Sequence, residues 1–469
     1  MGVLNYIKGM FKLPQIFKKK EKKETNLFKG DNERKRDVAS LKSSQLSQSA
    51  LSLLSSLINE IGPRPAGSEA TRKTAHRLAD EFRKYTDDTI ITTHRASPSR
   101  YFGLFREFIV VSILMVILCF MGQPLFALIV CGLFGYCVYH GFLKCDQIKG
   151  PTVFKKTNLT NVHAVIEPEE EVTSTVILSS HHDSAPLYKY TEKDKKDYIL
   201  SVYVPLIAFA ITTIISIVIF ILEIFGLKLL RFNLPSLSAM ILLIIALVLQ
   251  FSYFKLWGYV TDTYSPGAGD NLVSSASLVE LAHYFSWKKE NGKGLKNTRL
   301  IFVSFDGEEV GLIGSRAWYA QYKELLINPV NINIDSPFSS SALTFLTKDA
   351  NGFVSLDKTL ASSLCEQAEK MGYSATLGEL PLFAGATDAT SASRFGIPST
   401  TLMGIKLGKG GDEPYHTLGD VPEALDSKMI EMVISILIKY IENNYKEEKR
   451  AEERVSLLLD TDKALPIIR

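Results

Sequence analysis

The chain has 469 residues, 46% of them hydrophobic, with 53 Lys and Arg against 50 Asp and Glu, a net charge of +3. That balance says nothing sharp about acidic partners and leaves no basic footprint, so no nucleic-acid partner is expected. Five cysteines (Cys119, Cys131, Cys137, Cys145 and Cys365) without CxxC spacing argue against a disulfide framework and for a reducing compartment.

The first stretch, MGVLNYIKGMFKLPQIF, has no continuous apolar core and precedes KKKEKK, the wrong order for a signal peptide. Val3, Leu4, Ile7, Met10 and Phe11 follow helical spacing. They fit a short helix on an anionic membrane surface or, equally, a disordered basic tail. Residues 1–45 are read as this basic segment and a polar linker, with globular patterning from 46. SEATRKTAHRLADEFRKY (68–85) has the period of an amphipathic helix, with Ser68 as N-cap.

Three apolar stretches are longer than ordinary core elements. Phe108–Leu143 runs 36 residues without Asp, Glu, Lys or Arg, broken by the turn signal Gly122-Gln123-Pro124. Its first arm is short unless Tyr101–Phe105 extends it. Ile199–Leu222 adds 24 uncharged residues and Phe232–Phe254 another 23. Each is long enough to cross roughly 30 Å of hydrocarbon. The reading is two transmembrane hairpins, four spans, with buried core helices as the competing interpretation.

Between and after the hairpins, strand-like runs at 89–94, 161–168, 174–180, 300–305, 331–335 and 399–404 alternate with helical patterns at 272–288, 312–323, 356–371 and 426–444. Such alternation predicts an α/β fold, an αβα sandwich around a mixed sheet. The C-terminal charge run reads as a solvated helix face.

In this fold class chemistry gathers at the carboxyl ends of strands. After STVILSS comes His181-His182-Asp183. GAGDN, with Asp270 and Asn271, opens the 272–288 helix. LIFVSF leads into Asp306, Gly307, Glu308 and Glu309. NINI ends in Asp335, and STTLMG leads through a loop to EPYHTLGD with Tyr415 and His416. Two adjacent carboxylates after a buried strand repel each other and resist desolvation unless a cation waits there. Imidazole and carboxylate ligands without thiolates suit a hydrolytic zinc site.

The order and wording of GPRPAGSEAT, SSHHDSAP, SPGAGDNLVSSASLVELA, FVSFDGEEVGLIGSRAW, NINIDSP, TDATSASRFGIPSTTL and EPYHTLGD resemble the di-zinc aminopeptidase family of bacterial leucyl aminopeptidases, glutamate carboxypeptidase II and glutaminyl cyclases. The resemblance implies a phosphorylase/hydrolase-like fold and a pair of zinc ions. It implies His181 and Asp335 on one ion, Glu309 and His416 on the other, and Asp270 bridging. Glu308 would be the general base and Asp183 would orient His181. Asp388, Asn271 and Tyr415 would support the site or contact substrate, and His182 would be only the spacer of H-x-D. Two departures stand out. Gly269 takes the place where many relatives have a second Asp. Thr387-Asp388-Ala389 takes the place of Ser-Asp-His, which leaves substrate preference open.

His181 and Asp270 are 89 positions apart, and removing about 192–258 leaves roughly 22, an ordinary spacing for the family. The hairpins therefore read as insertions into one hydrolase domain: parts at 46–98, 149–191 and 259–445, hairpins at 99–148 and 192–258, and a charged tail at 446–469. Each hairpin goes in and returns, so all catalytic pieces share one side. Lys and Arg crowd that side, which puts the domain and both termini in the cytoplasm. The expected partners are the bilayer and a peptide substrate, hydrophobic or membrane-derived. The expected activity is removal of N-terminal residues. Glutaminyl cyclisation and a non-catalytic scaffold are the alternatives, and oligomeric state is left open.

Overall fold

The computed structural model describes residues 41–146, 154–189, 195–225, 230–231, 234–235, 237–406 and 413–443. The N-terminal amphipathic stretch and the charged tail lie outside the described residues.

A nine-stranded sheet organises the chain. Its strands are β1 (Asp88–Ala96), β2 (Thr157–Ile166), β3 (Ser174–His181), β4 (Thr298–Phe305), β5 (Pro329–Asp335), β6 (Thr344–Asp349), β7 (Val354–Ser355), β8 (Thr376–Glu379) and β9 (Ser399–Met403). The order is β1-β2-β4-β3-β5-β9-β6-β7, with β8 beside β6. The central strands β4, β3, β5 and β9 run parallel, and β1, β2 and β6 join antiparallel. The sheet is therefore mixed, as the alternation of patterns implied.

Side chains alternate across these strands, and the two faces bury different cores. Leu300 and Phe302 of β4, with Val176 and Leu178 of β3, pack under helices Ser43–Ile61, Glu69–Phe82, Val273–Glu290 and Lys358–Lys370 and the 427–443 helix. Ile301, Val303 and Phe305, with Ile177, face Trp318, Tyr319 and Tyr322 of helix Ile313–Tyr322. A sheet covered on both faces leaves its strand ends as the open edge for chemistry. Ser68 caps the Glu69–Phe82 helix, accepting from the Thr71 N–H. Helix Ser43–Ile61 begins inside the stretch read as linker. Its Ser and Gln residues mask the inward stripe of Leu46, Ala50, Leu54 and Leu57.

Four helices are long and apolar enough to cross a membrane: Ser99–Phe120, Pro124–Leu143, Leu200–Leu222 and Met240–Trp257. They pack around Met115, Val116, Cys119, Ala127, Ile215, Ile219, Leu243 and Ala246. Only 39, 17, 33 and 28% of their most apolar windows is buried, so their outward faces present Ile, Leu, Val and Phe to the surroundings. The described residues leave those faces uncovered, as they would be in candidate membrane spans. The first helix starts at Ser99, so Arg100, Arg106 and Glu107 belong to its opening turns. Arg106 lies over the Trp257 ring, 5.6 Å from its centroid, which lets a charge begin an apolar helix.

Candidate metal centre

β3 ends on His181 and β5 on Asp335, so two parallel strands deliver an imidazole and a carboxylate to one edge. β4 ends at Phe305, beside His181, and its chain turns at Gly307, where φ is +85°. A Cβ at Gly307 would sit 2.1 Å from Leu159 Cδ2, so the turn demands glycine. Asp306 faces away and accepts the Gly67 and Thr160 N–H groups at 3.0 and 2.9 Å. Glu308 and Glu309 are left at the edge.

The structure brings the expected residues together. Asp270 stands between the two histidines: Oδ1 is 3.4 Å from His181 Nε2, and Oδ2 is 2.9 Å from His416 Nε2. Glu309 Oε2 is 3.3 Å from His416 Nε2. His181 Nε2 is also 3.8 Å from Glu308 Oε2 and 4.0 Å from Asp335 Oδ2. Asp183 accepts the backbone N–H groups of Glu308 and Glu309, both at 3.2 Å, and lies 3.4 Å from His181 Nδ1. His181 Nδ1 also lies 3.2 Å from the Asp183 backbone carbonyl, so Asp183 holds the imidazole with its carbonyl and carboxylate together and the glutamate turn with its carboxylate. His182 points away, with Nδ1 2.8 Å from Ser304 Oγ, and burial pushes its pKa down to about 3.

Among the supporting residues, Asn271 donates to the Ile334 carbonyl at 2.8 Å and ties the Asp270 loop to the end of β5. Tyr415 stacks on the His416 ring at 3.8 Å between centroids. Asp388 is fully buried with neither oxygen hydrogen-bonded, and burial pushes it up to about 7. At Gly269 a Cβ would stand 2.2 Å from Phe338 Cε1, so the Phe338 ring fills the space a side chain would need.

Sequence reading missed two residues that hold the site. Asp420 accepts the Gly269 and Asp270 N–H groups at 2.6 and 3.2 Å, clipping the His416 loop to the Asp270 loop. Arg64 is fully buried. Its guanidinium donates to the carbonyls of His182 (2.7 Å), Gly62 (2.8 Å), Pro266 (2.9 Å) and Gly267 (2.7 Å), lashing the H-x-D loop to the chain before Asp270. Arg64 was within the quoted GPRPAG stretch, and Asp420 closes TLGD; both carried a position signal without a role.

The donor set fits a metal. His181 Nε2, Asp270 Oδ2, Glu309 Oε1 and His416 Nε2 are buried without hydrogen bonds, although they converge on one space. Two triads, His181–Glu308–Asp335 and His181–Asp270–Glu309, bring their ligand atoms within 4.8 Å of one another. Ligands about 2.0–2.1 Å from one tetrahedral zinc lie about 3.3 Å apart, which matches the shorter separations here. Electrostatics agree. Burial raises Glu308 and Asp335 well above the usual carboxyl range, and Glu309 to about 7. Burial would raise Asp270 too, but His181 and His416 hold it below that range. Burial would lower His416, yet Glu309 and Asp270 lift it to about 10. Buried carboxyls pushed up in this way are the kind of group that a bound cation would ionise.

Fold and cage together define a candidate metal centre at the carboxyl edge of an α/β sheet. Residues 256–441 match the model of the peptidase family M28. That segment begins at the end of the second apolar pair and takes in Asp270, Glu308, Glu309, Asp335 and His416. His181 and Asp183 precede it and reach the same cage through β3. The chain is 34% identical over 74 residues to transferrin receptor protein 2 of Homo sapiens, covering 16% of this chain and 9% of that one. It is 25% identical over 184 residues to leucine aminopeptidase 1 of Ajellomyces capsulatus, covering 34% and 43%. The chain thus spans less than half the length of these relatives. Among solved structures, the glutaminyl cyclase of Porphyromonas gingivalis superposes with a TM-score of 0.48 at 15% identity, covering 85% of this chain and 98% of that one.

Proposed function

We propose that the protein is a membrane-embedded zinc exopeptidase that removes the N-terminal residue of peptides. The observation that carries this reading is the cage itself, in which Asp270 faces His181 with one oxygen and His416 with the other. His181 and Asp335 would hold one zinc, Glu309 and His416 a second, with Asp270 between them. Two such ions would supply a Lewis acid for the scissile carbonyl and lower the pKa of the attacking water.

The chain's own residues do the rest. Glu308 accepts a proton from the water that adds to the peptide carbonyl. It gives that proton to the leaving amine nitrogen as the C–N bond breaks. Its buried setting suits a group that must carry a proton in both directions, and bound cations would lower its raised pKa. Asp183 holds the His181 Nδ1 proton, so Nε2 stays free to ligate. Arg64 and Asp420 keep the loops from parting.

The substrate class is read from an aromatic seam. Tyr188 lies 6.0 Å from His416 between ring centroids and stacks on Tyr259 at 5.1 Å. Tyr259 reaches Phe105 of the first apolar helix at 5.2 Å, and Phe108 reaches Tyr253 at 5.3 Å. An apolar path from the cage into the helices favours hydrophobic peptides arriving along a bilayer, on the cytoplasmic side that the Lys and Arg distribution indicates. The test is hydrolysis of aminoacyl anilides and apolar peptides before and after chelation. Release of N-terminal residues that stops on chelation and returns with zinc supports the reading; turnover indifferent to chelation removes it.

A further inference from the structure

A cleft of about 520 Å³ lies where the first apolar hairpin meets the hydrolase domain, and none of the proposed metal ligands lines it. Its charge is one-sided. Arg95 comes from the end of β1, Lys156 from the residue before β2, and Arg100 from the first turn of helix Ser99–Phe120. None of the three has an acidic partner among the described residues. Arg316 adds a fourth cation at the edge, its guanidinium already donating to the carbonyls of Cys145 and, at 3.2 Å, Gly311. The one acidic residue in the wall, Asp146, is already neutralised by Arg394 at 2.9 Å. His94, also in the wall, keeps Nε2 buried without a hydrogen-bond partner. Like charges gathered around a cavity repel unless an anion joins them.

We propose that this cleft binds a phosphate group, carried by an anionic lipid headgroup or free in solution. Forked guanidinium groups and a lysine match phosphate oxygens, and the volume suits a phosphoglycerol-sized ligand. Tyr101 and Leu104 line the apolar side, in the opening turns of the helix whose uncharged run begins at Phe108, so a headgroup there would have its chains beside that helix. Val310 and Gly311 form part of the same wall, directly after Glu309. A ligand there touches the turn that carries both glutamates, yet its binding does not depend on the peptidase reading.

The test is calorimetric titration of the full detergent-solubilised chain with three probes: short-chain phosphatidylglycerol, short-chain phosphatidylcholine and inorganic phosphate. Arg95→Gln/Arg100→Gln/Lys156→Gln is compared with the charge-matched Arg72→Gln/Lys73→Gln/Arg83→Gln, outside the cleft. The expected result is saturable binding of phosphatidylglycerol and not phosphatidylcholine, weakened about tenfold or more by the first variant and unchanged in the second. The same pattern with inorganic phosphate and not the lipid assigns the site to free phosphate. Arg95→Glu, a single change at an exposed position, must weaken binding as well, so a triple variant that fails to fold leaves the test intact. No saturable binding of any anionic probe, or equal loss in both triple variants, overturns the proposal.

Discussion

Replacing Arg64 with methionine keeps much of the side chain's volume and removes every bond its guanidinium makes. Four carbonyls, of Gly62, His182, Pro266 and Gly267, lose a donor at 2.7–2.9 Å. A buried polar group left unpaired costs about 1–3 kcal/mol, and the bonds here come from a charged donor. Part of that loss is offset because the arginine no longer has to be desolvated, the cost that lowers its pKa to about 10. Asp420, Asp183 and Asp270 also lose the cation that faces them. The net loss is roughly 3–5 kcal/mol, in the range for breaking a buried charge arrangement. For a hydrolase domain of this size that lowers the unfolding midpoint by roughly 5–8 °C. Arg64→Lys should recover little, since an ammonium cannot reach carbonyls in so many directions. Thermal unfolding followed by tryptophan fluorescence, with zinc content measured in parallel, is the assay. A methionine variant within about 2 °C of the parent, holding zinc as tightly, would refute the claim that Arg64 lashes the site loops together.

Asp183→Asn can still accept one of the two backbone N–H groups but sets its own NH2 against the other; zinc affinity should fall about 10–100-fold in a chelator competition, and an unchanged affinity would count against its orienting role. Gly269→Ala pushes a methyl into the Phe338 ring and should cost about 1–3 kcal/mol, while adding Phe338→Leu should restore at least half; the double-mutant cycle measures the coupling, and additive effects would deny the contact. Zinc must displace protons from carboxyls raised by burial and from the His416 imidazolium, so affinity should rise from pH 6 to pH 8 with protons released to the buffer. Calorimetry in buffers of different ionisation enthalpy counts those protons, and none released would contradict the protonated cage. Tyr188→Ser should lower turnover of apolar peptides more than of a soluble aminoacyl anilide; equal loss on both would sever the aromatic seam from substrate choice.

Much of the site was legible because its residues follow strands. A parallel strand buried on both faces announces itself as an apolar run, and its last residues lie at the open edge; His181, Glu308, Glu309 and Asp335 were found that way. The residues that hold loops to one another were not. Arg64 looks like any surface cation, and only the fold turns its guanidinium toward four carbonyls distant in sequence. Asp420 is likewise one acidic residue in a turn until the His416 loop meets the Asp270 loop. Helix Ser43–Ile61 was partly hidden because its exposed face is rich in Ser and Gln. The length of the first arm was left open because Arg106 and Glu107 interrupt hydropathy; in space the helix runs from Ser99 through Tyr101–Phe105, and Arg106 rests on Trp257. The basic cleft was invisible because its cations come from β1, the residue before β2 and two helices, brought together only by the fold.

The central claim is that Glu308 moves the proton for hydrolysis in a zinc cage. The most direct measurement compares zinc content and peptide products of the parent and Glu308→Gln, by metal analysis and mass spectrometry on one preparation. The account predicts release of N-terminal residues by the parent, and a fall of about 10²–10⁴-fold in the variant with zinc retained. Undiminished turnover in Glu308→Gln, or a parent that binds no zinc, would contradict it. Products that have lost ammonia instead of gaining water would replace hydrolysis with cyclisation.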